Sequence, residues 1–200
     1  MPSRRTIILA SAASIGSRLT VVGLCAPSML GAQEPGPGST ASAALPELAA
    51  ELPAMQWAGN ARMRYFTFNV YDASLWVAPG FSAGRYAQSV FALQLRYLRN
   101  LDGHAIAQRS LAEMRKAATL TPAQEQRWLA AMQDAFPDVK TGDRLTGLHQ
   151  PGVGARFWFN GAIRAVVADP EFSRAFFGIW LAESTSEPRL RAALLVHATP

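Results

Sequence analysis

The order of local signals along this chain predicts an α+β domain, an open antiparallel β-sheet covered on one face by a layer of helices. Three observations carry that expectation. Asn160-Gly161 separates two aromatic and β-branched runs, residues 156–159 (RFWF) and 163–168 (IRAVVA), and suits a type I′ hairpin turn because both positions tolerate positive φ. Thr121-Pro122 and Asp169-Pro170 each place a capping side chain before a proline, the pattern that starts a helix. The hydrophobic period then switches between strand and helix values in the order β-β-α-α-β-β-β-α-α, which favours antiparallel pairing with the helices segregated together.

Each element follows from its own residues. Residues 45–55 form a short helix or an edge segment. Over 63–77, Tyr65, Phe66, Phe68, Val70, Tyr71, Leu75 and Trp76 alternate in part, the mark of a long strand or a bent strand pair, and Ala78-Pro79-Gly80 ends it. Over 90–98, Phe91, Leu93, Leu95 and Tyr97 share one face of a half-buried strand. From 104 to 118 the spacing becomes helical, with Ile106, Leu111 and Met114 inward. The helix capped by Thr121 runs to Ala135 and stops before Phe136-Pro137. Residues 143–149 form a strand ahead of the Asn160-Gly161 hairpin. Beyond Asp169, Phe172, Ala175, Phe176, Ile179 and Trp180 make one apolar helical stripe, and Ser186-Glu187-Pro188 opens a last helix. There is no internal repeat.

Composition divides the chain into three parts. Residues 1–32 combine Arg4 and Arg5, two apolar runs interrupted by Arg18, and small residues near the end, which reads as an export signal peptide with a twin-arginine or general-secretion character. Those runs are too short to span a bilayer. Residues 33–44 are rich in proline, glycine and serine, a disordered spacer, and 45–200 form the domain. The expected location is therefore periplasmic or secreted. Cys25, the only cysteine, lies inside the signal and follows Leu24 rather than a small residue, so neither a lipoprotein site nor thiol chemistry is expected. The formal charge of +5 falls to +2 without the three arginines of the signal. With no basic stripe interleaved with aromatics and no basic amphipathic helix, nucleic acid is not an expected partner and the mature chain has no integral membrane segment. The sequence is silent on oligomeric state.

The usual catalytic patterns are missing. His104, His149 and His197 share no ligand spacing, so no metal or other cofactor is expected. Gly152 and Gly154 precede a strand and read as turn residues rather than a phosphate loop. No G-x-S-x-G nucleophile elbow occurs.

The block from 136 to 195, with its Asn-Gly hairpin, its Asp-Pro-Glu helix start and its aromatic helix, resembles the chalcone isomerase-like family in its secreted bacterial branch. The resemblance continues through Gly59-Asn60-Ala61-Arg62 before the first long strand, residues 66–76 (FTFNVYDASLW) and residues 91–114. It implies an isomerase fold and, position by position, a set of site residues. The family's catalytic arginine corresponds to Arg62. Its threonine falls on Phe66, with Thr67 one step away and so turned to the other face of a strand. Its tyrosine falls on Ile106, its lysine on Arg109, its asparagine on Glu113, and a late threonine on Ile179. The hydroxyls that would polarise a ketone are replaced, so the resemblance implies a noncatalytic member. The expected function is binding of a small apolar, fatty acid-like ligand with an acidic end, held in a cleft between sheet and helices by Arg62, Arg109 and Thr67. Two other readings stand beside it: an intramolecular lyase or isomerase using Arg62, Arg109 and Glu113, and an accessory envelope protein without ligand.

Overall fold

The computed structural model describes residues 45–49 and 51–198, and the expected signal (1–32) and spacer (33–44) lie outside the described residues. Six strands, β1 (Gln56–Tyr65), β2 (Phe68–Val77), β3 (Phe91–Tyr97), β4 (Arg144–Gln150), β5 (Gly154–Phe159) and β6 (Ala162–Val167), form one antiparallel sheet in chain order. A sheet with every neighbour next in sequence needs no crossover; β5 and β6 meet at the expected Asn160-Gly161 turn, while the connection from β3 to β4 is long and helical. Among the described residues five α-helices accompany it, α1 (Pro46–Ala49), α2 (Gly103–Ala117), α3 (Pro122–Ala135), α4 (Pro170–Leu181) and α5 (Pro188–Leu194), with a short 3-10 helix at Ala83–Gln88.

The termini form as their residues dictate. Asn160 and Gly161 take φ of 51° and 87° in the β5–β6 turn. Thr121 and Gln124 make a reciprocal capping box at the start of α3. Asp169 accepts from the Phe172 backbone N–H at 2.9 Å, and its other oxygen accepts from Trp128 Nε1 at 2.9 Å, so one carboxylate caps α4 and ties it to α3.

Strand alternation sorts the core into two. Tyr71, Ala73 and Leu75 of β2, Phe91, Leu93, Leu95 and Tyr97 of β3, and Phe157 of β5 face the helices. There Phe157 meets Phe136, Phe172, Phe176 and Phe177, all with ring centroids within 6.4 Å. Trp76, Ala92, Leu148 and Trp158 point the other way and pack against Leu45 and Leu48. The segment around α1 thus covers part of the second face, an addition to the one-sided helical layer expected. Helix α4 is buried more widely than its stripe, taking in Ser173, Phe177, Gly178 and Leu181, because it lies between α2 and strands β4 and β5.

Of the two readings of residues 63–77, the structure gives the strand pair, a hairpin with a tight turn at Phe66-Thr67; Gly59–Arg62, expected before the first long strand, is corrected to a place within β1. Phe66 takes a φ of 52°, a conformation normally left to glycine or asparagine. No turn residue marks the reversal, so the apolar pattern runs straight through it.

Candidate ligand-binding cavity

Helix α4 packs on β4 and β5, while α5 packs on β1 and β2. Between them, above Leu95 and Tyr97 of β3, the roof is left mainly to α2, and a cavity of about 400 Å³ opens there. Its walls are apolar, with Met63, Val70, Leu95 and Leu145 from the sheet and Ile106, Phe176, Ile179 and Leu190 from the helices.

Two phenols project into this apolar space. Tyr71 accepts a hydrogen bond from Trp180 Nε1 at 3.1 Å, and its ring stands edge-on to Tyr97 at 6.2 Å. Burial pushes both phenols well above the ordinary tyrosine range; for Tyr71 the Trp180 bond opposes the rise and the charges of Glu187 and Glu113 add to it. Both are neutral hydroxyl donors at neutral pH.

Four charged side chains line the cavity: Arg99, Arg109, Glu113 and Glu187. Burial acts to raise the Glu113 pKa, but hydrogen bonds from Lys116 and Ser186, with the charges of Arg109 and Lys116, outweigh it and hold the carboxyl below its ordinary value. Arg109 reaches Glu113 at 2.6 Å and lies over the Tyr65 ring at 5.9 Å, with 58% of its side chain exposed. Arg99 lies over Phe68 at 5.0 Å. No carboxylate among the described residues pairs with it. Both arginines line the cavity where it meets solvent, beside Tyr65.

Of the site residues expected from the sequence, Arg109 and Glu113 line the cavity, together with Ile106 and Ile179. Arg62 and Thr67 do not. Arg62 stands between Ala61 and Met63, which pack on the helix-side core, so strand alternation turns it to the opposite face. There it sits in register with Asp72 and donates two hydrogen bonds to it, at 2.6 and 2.9 Å. Thr67 is exposed in the β1–β2 turn. The expectation that Arg62 and Thr67 hold a ligand beneath the helices is therefore corrected. Sequence reasoning also passed over Tyr71, Tyr97 and Arg99. The tyrosines had a signal, being hydroxyl-bearing residues on otherwise apolar strand faces, but Arg99 follows the end of a strand and had none. Among the described residues no cluster of three or more His, Cys, Asp or Glu is placed to hold a metal ion.

The family model described as chalcone isomerase-like matches residues 51–196. This chain belongs to the chalcone isomerase-like family. An uncharacterized protein of Haemophilus influenzae is 30% identical over 139 residues, covering 68% of this chain and 66% of that protein, so the match spans just under two thirds of the relative's length. The crystal structure of an Arabidopsis thaliana fatty-acid binding protein aligns with a TM-score of 0.56 at 10% identity, over 71% of this chain and 87% of that one. That likeness shows a shared fold. Ile106 and Ile179 put hydrocarbon into the cavity, while Phe66 lies outside it, 84% exposed.

Proposed function

We propose that this chalcone isomerase-like protein is a carrier or receptor for a small amphiphile with an apolar tail and an acidic head, such as a fatty acid. The observation that carries this reading is the lining of the cavity: mainly apolar walls, with the exposed arginines Arg99 and Arg109 beside Glu113 and Glu187, and Arg99 without a carboxylate partner among the described residues. Its volume of about 400 Å³ falls in the range of small-molecule sites, about 300–1,000 Å³. Each buried methylene would contribute about 0.8 kcal/mol, so the tail supplies affinity while Arg99 and Arg109 orient the carboxylate through charge-assisted hydrogen bonds. The shared fold with a fatty-acid binding protein supports the reading. The lyase reading is weaker, since Arg62 lies across the sheet from Arg109 and Glu113, and Glu113 is already engaged by Arg109, Lys116 and Ser186.

Calorimetric titration with a long-chain acid and the matching alcohol tests the proposal. Replacing Arg99 and Arg109 together by glutamine should weaken the acid by about tenfold or more and leave the alcohol nearly unchanged. Arg62→Ala should change neither. Equal losses for acid and alcohol, or no binding to the wild type, would remove the carboxylate anchor. The reading includes export, based on the composition of residues 1–32. N-terminal sequencing of protein from the periplasm should then find a chain beginning near Ala32 to Glu34, and a start at Met1 on cytoplasmic protein would contradict it.

A further inference from the structure

The tip of the β1–β2 hairpin is unlike the rest of the surface. Phe66, Phe68 and Tyr65 are 84%, 57% and 52% exposed within four consecutive residues, and Tyr65 and Phe66 stack edge-to-face at 4.7 Å. Nothing about the turn calls for an aromatic residue at Phe66. Its φ of 52° favours glycine or asparagine, so the backbone carries strain at the position that presents the most exposed ring. Arginines surround the tip. Arg99 lies over Phe68 and Arg109 over Tyr65, while Arg64 donates only to the Asn69 side-chain oxygen at 3.1 Å. Glu113 balances Arg109, but no carboxylate among the described residues pairs with Arg64 or Arg99.

We propose that this hairpin tip docks the protein on an anionic lipid bilayer. Aromatic rings partition into the boundary between headgroups and acyl chains, and unbalanced arginines are drawn to negatively charged lipid. The area argues against a second copy of the chain as the natural occupant. Three partly exposed rings offer no more than about 500 Å², short of the roughly 800 Å² per partner of a stable interface. The tip also adjoins the cavity, because Tyr65, Arg99 and Arg109 belong to both. Docking therefore brings the open side of the cavity to the lipid surface, where an amphiphile can pass without crossing water. That last consequence rests on the ligand reading above, whereas the docking itself does not.

Vesicle flotation tests the docking with no fatty acid present, so that it stands or falls apart from the calorimetry. Wild-type protein should float with phosphatidylcholine vesicles that contain phosphatidylglycerol, and much less with phosphatidylcholine alone. Phe66→Asn suits the positive φ and should fold as well as wild type, yet lose about tenfold or more in vesicle affinity. Replacing Arg64 and Arg99 together by glutamine, with the aromatic tip intact, should cost about fivefold per arginine on anionic vesicles only. Absence of wild-type binding to anionic vesicles would overturn the proposal, as would equal binding by Phe66→Asn. A concentration-dependent dimer that Phe66→Asn abolishes, without vesicle binding, would assign the tip to self-association instead.

Discussion

Buried in β4, His149 packs its ring on Phe91 at 4.9 Å and uses both nitrogens, Nδ1 toward Ser173 Oγ at 2.6 Å and Nε2 toward the Ala87 carbonyl oxygen at 3.1 Å. A carbonyl only accepts, so Nε2 carries a proton, while the single Ser173 hydroxyl proton is shared between two acceptors, Nδ1 of the neutral ring at 2.6 Å and the Gly154 carbonyl oxygen at 3.0 Å. Burial lowers the His149 pKa, and the bond to Ala87 opposes that shift less strongly. The unfolded chain, with an ordinary histidine near 6.5, then binds more protons than the folded one just below that value. The His149 contribution is therefore full above about pH 6.5 and is lost as pH falls toward the lower folded value. Glu113 acts in a separate, more acidic window, because its depressed carboxyl keeps its contribution until the pH drops below 4.5. Urea midpoints should fall between about pH 7.5 and about pH 5.5, and His149→Gln should flatten that slope. A wild-type midpoint constant across the interval would contradict this account.

Helix α5 owes its place to one small residue. A Cβ on Gly59 would stand 2.3 Å from the Ala193 carbonyl oxygen and 2.6 Å from that of Leu194, so only a glycine lets the end of α5 lie against β1. The contacting atoms are backbone and cannot rotate away. Gly59→Ala should cost about 1–3 kcal/mol in chemical denaturation and loosen Leu190, which α5 lends to the cavity. A variant as stable as wild type, with ligand affinity unchanged, would show that α5 docks by other means. Gly59 was visible in the sequence as part of a family motif, but its reason was not, since its neighbours Ala193 and Leu194 lie far along the chain. The Asn160-Gly161 turn shows the opposite case. There Asn160 accepts from the Arg144 backbone N–H at 2.8 Å and donates to Asp143 at 3.0 Å, but the dipeptide alone already announces the reversal.

Across the molecule, one sheet with its helical layer leaves a mainly apolar cavity, in which Ile106 and Ile179 stand where the family resemblance places hydroxyls. Ile106 and Ile179 offer no hydrogen bond to a developing oxyanion, and loss of such an oriented donor costs about 2.7–4 kcal/mol in a transition state. Purified protein should not accelerate chalcone ring closure above buffer. A clear acceleration would reopen the lyase reading and point to Tyr71 and Tyr97 as the donors.

The elements of this protein are written locally. Capping at Thr121 and Asp169, the Asn160-Gly161 turn and the hydrophobic period all act over a few residues, and from them the α+β architecture and its antiparallel order follow. Whether a strand residue faces the cavity is a question of phase, and phase depends on contacts with partners remote in sequence. A reversal at Phe66-Thr67 with no turn residue, and irregular register between Trp57 and Gly59 and between Met63 and Arg64, hid the phase of the first hairpin. Because a strand repeats every two residues, one step of error exchanges its faces. That is why Arg62 proved to pair with Asp72 on the outer side, while Arg99, silent in the sequence, came to the mouth of the cavity.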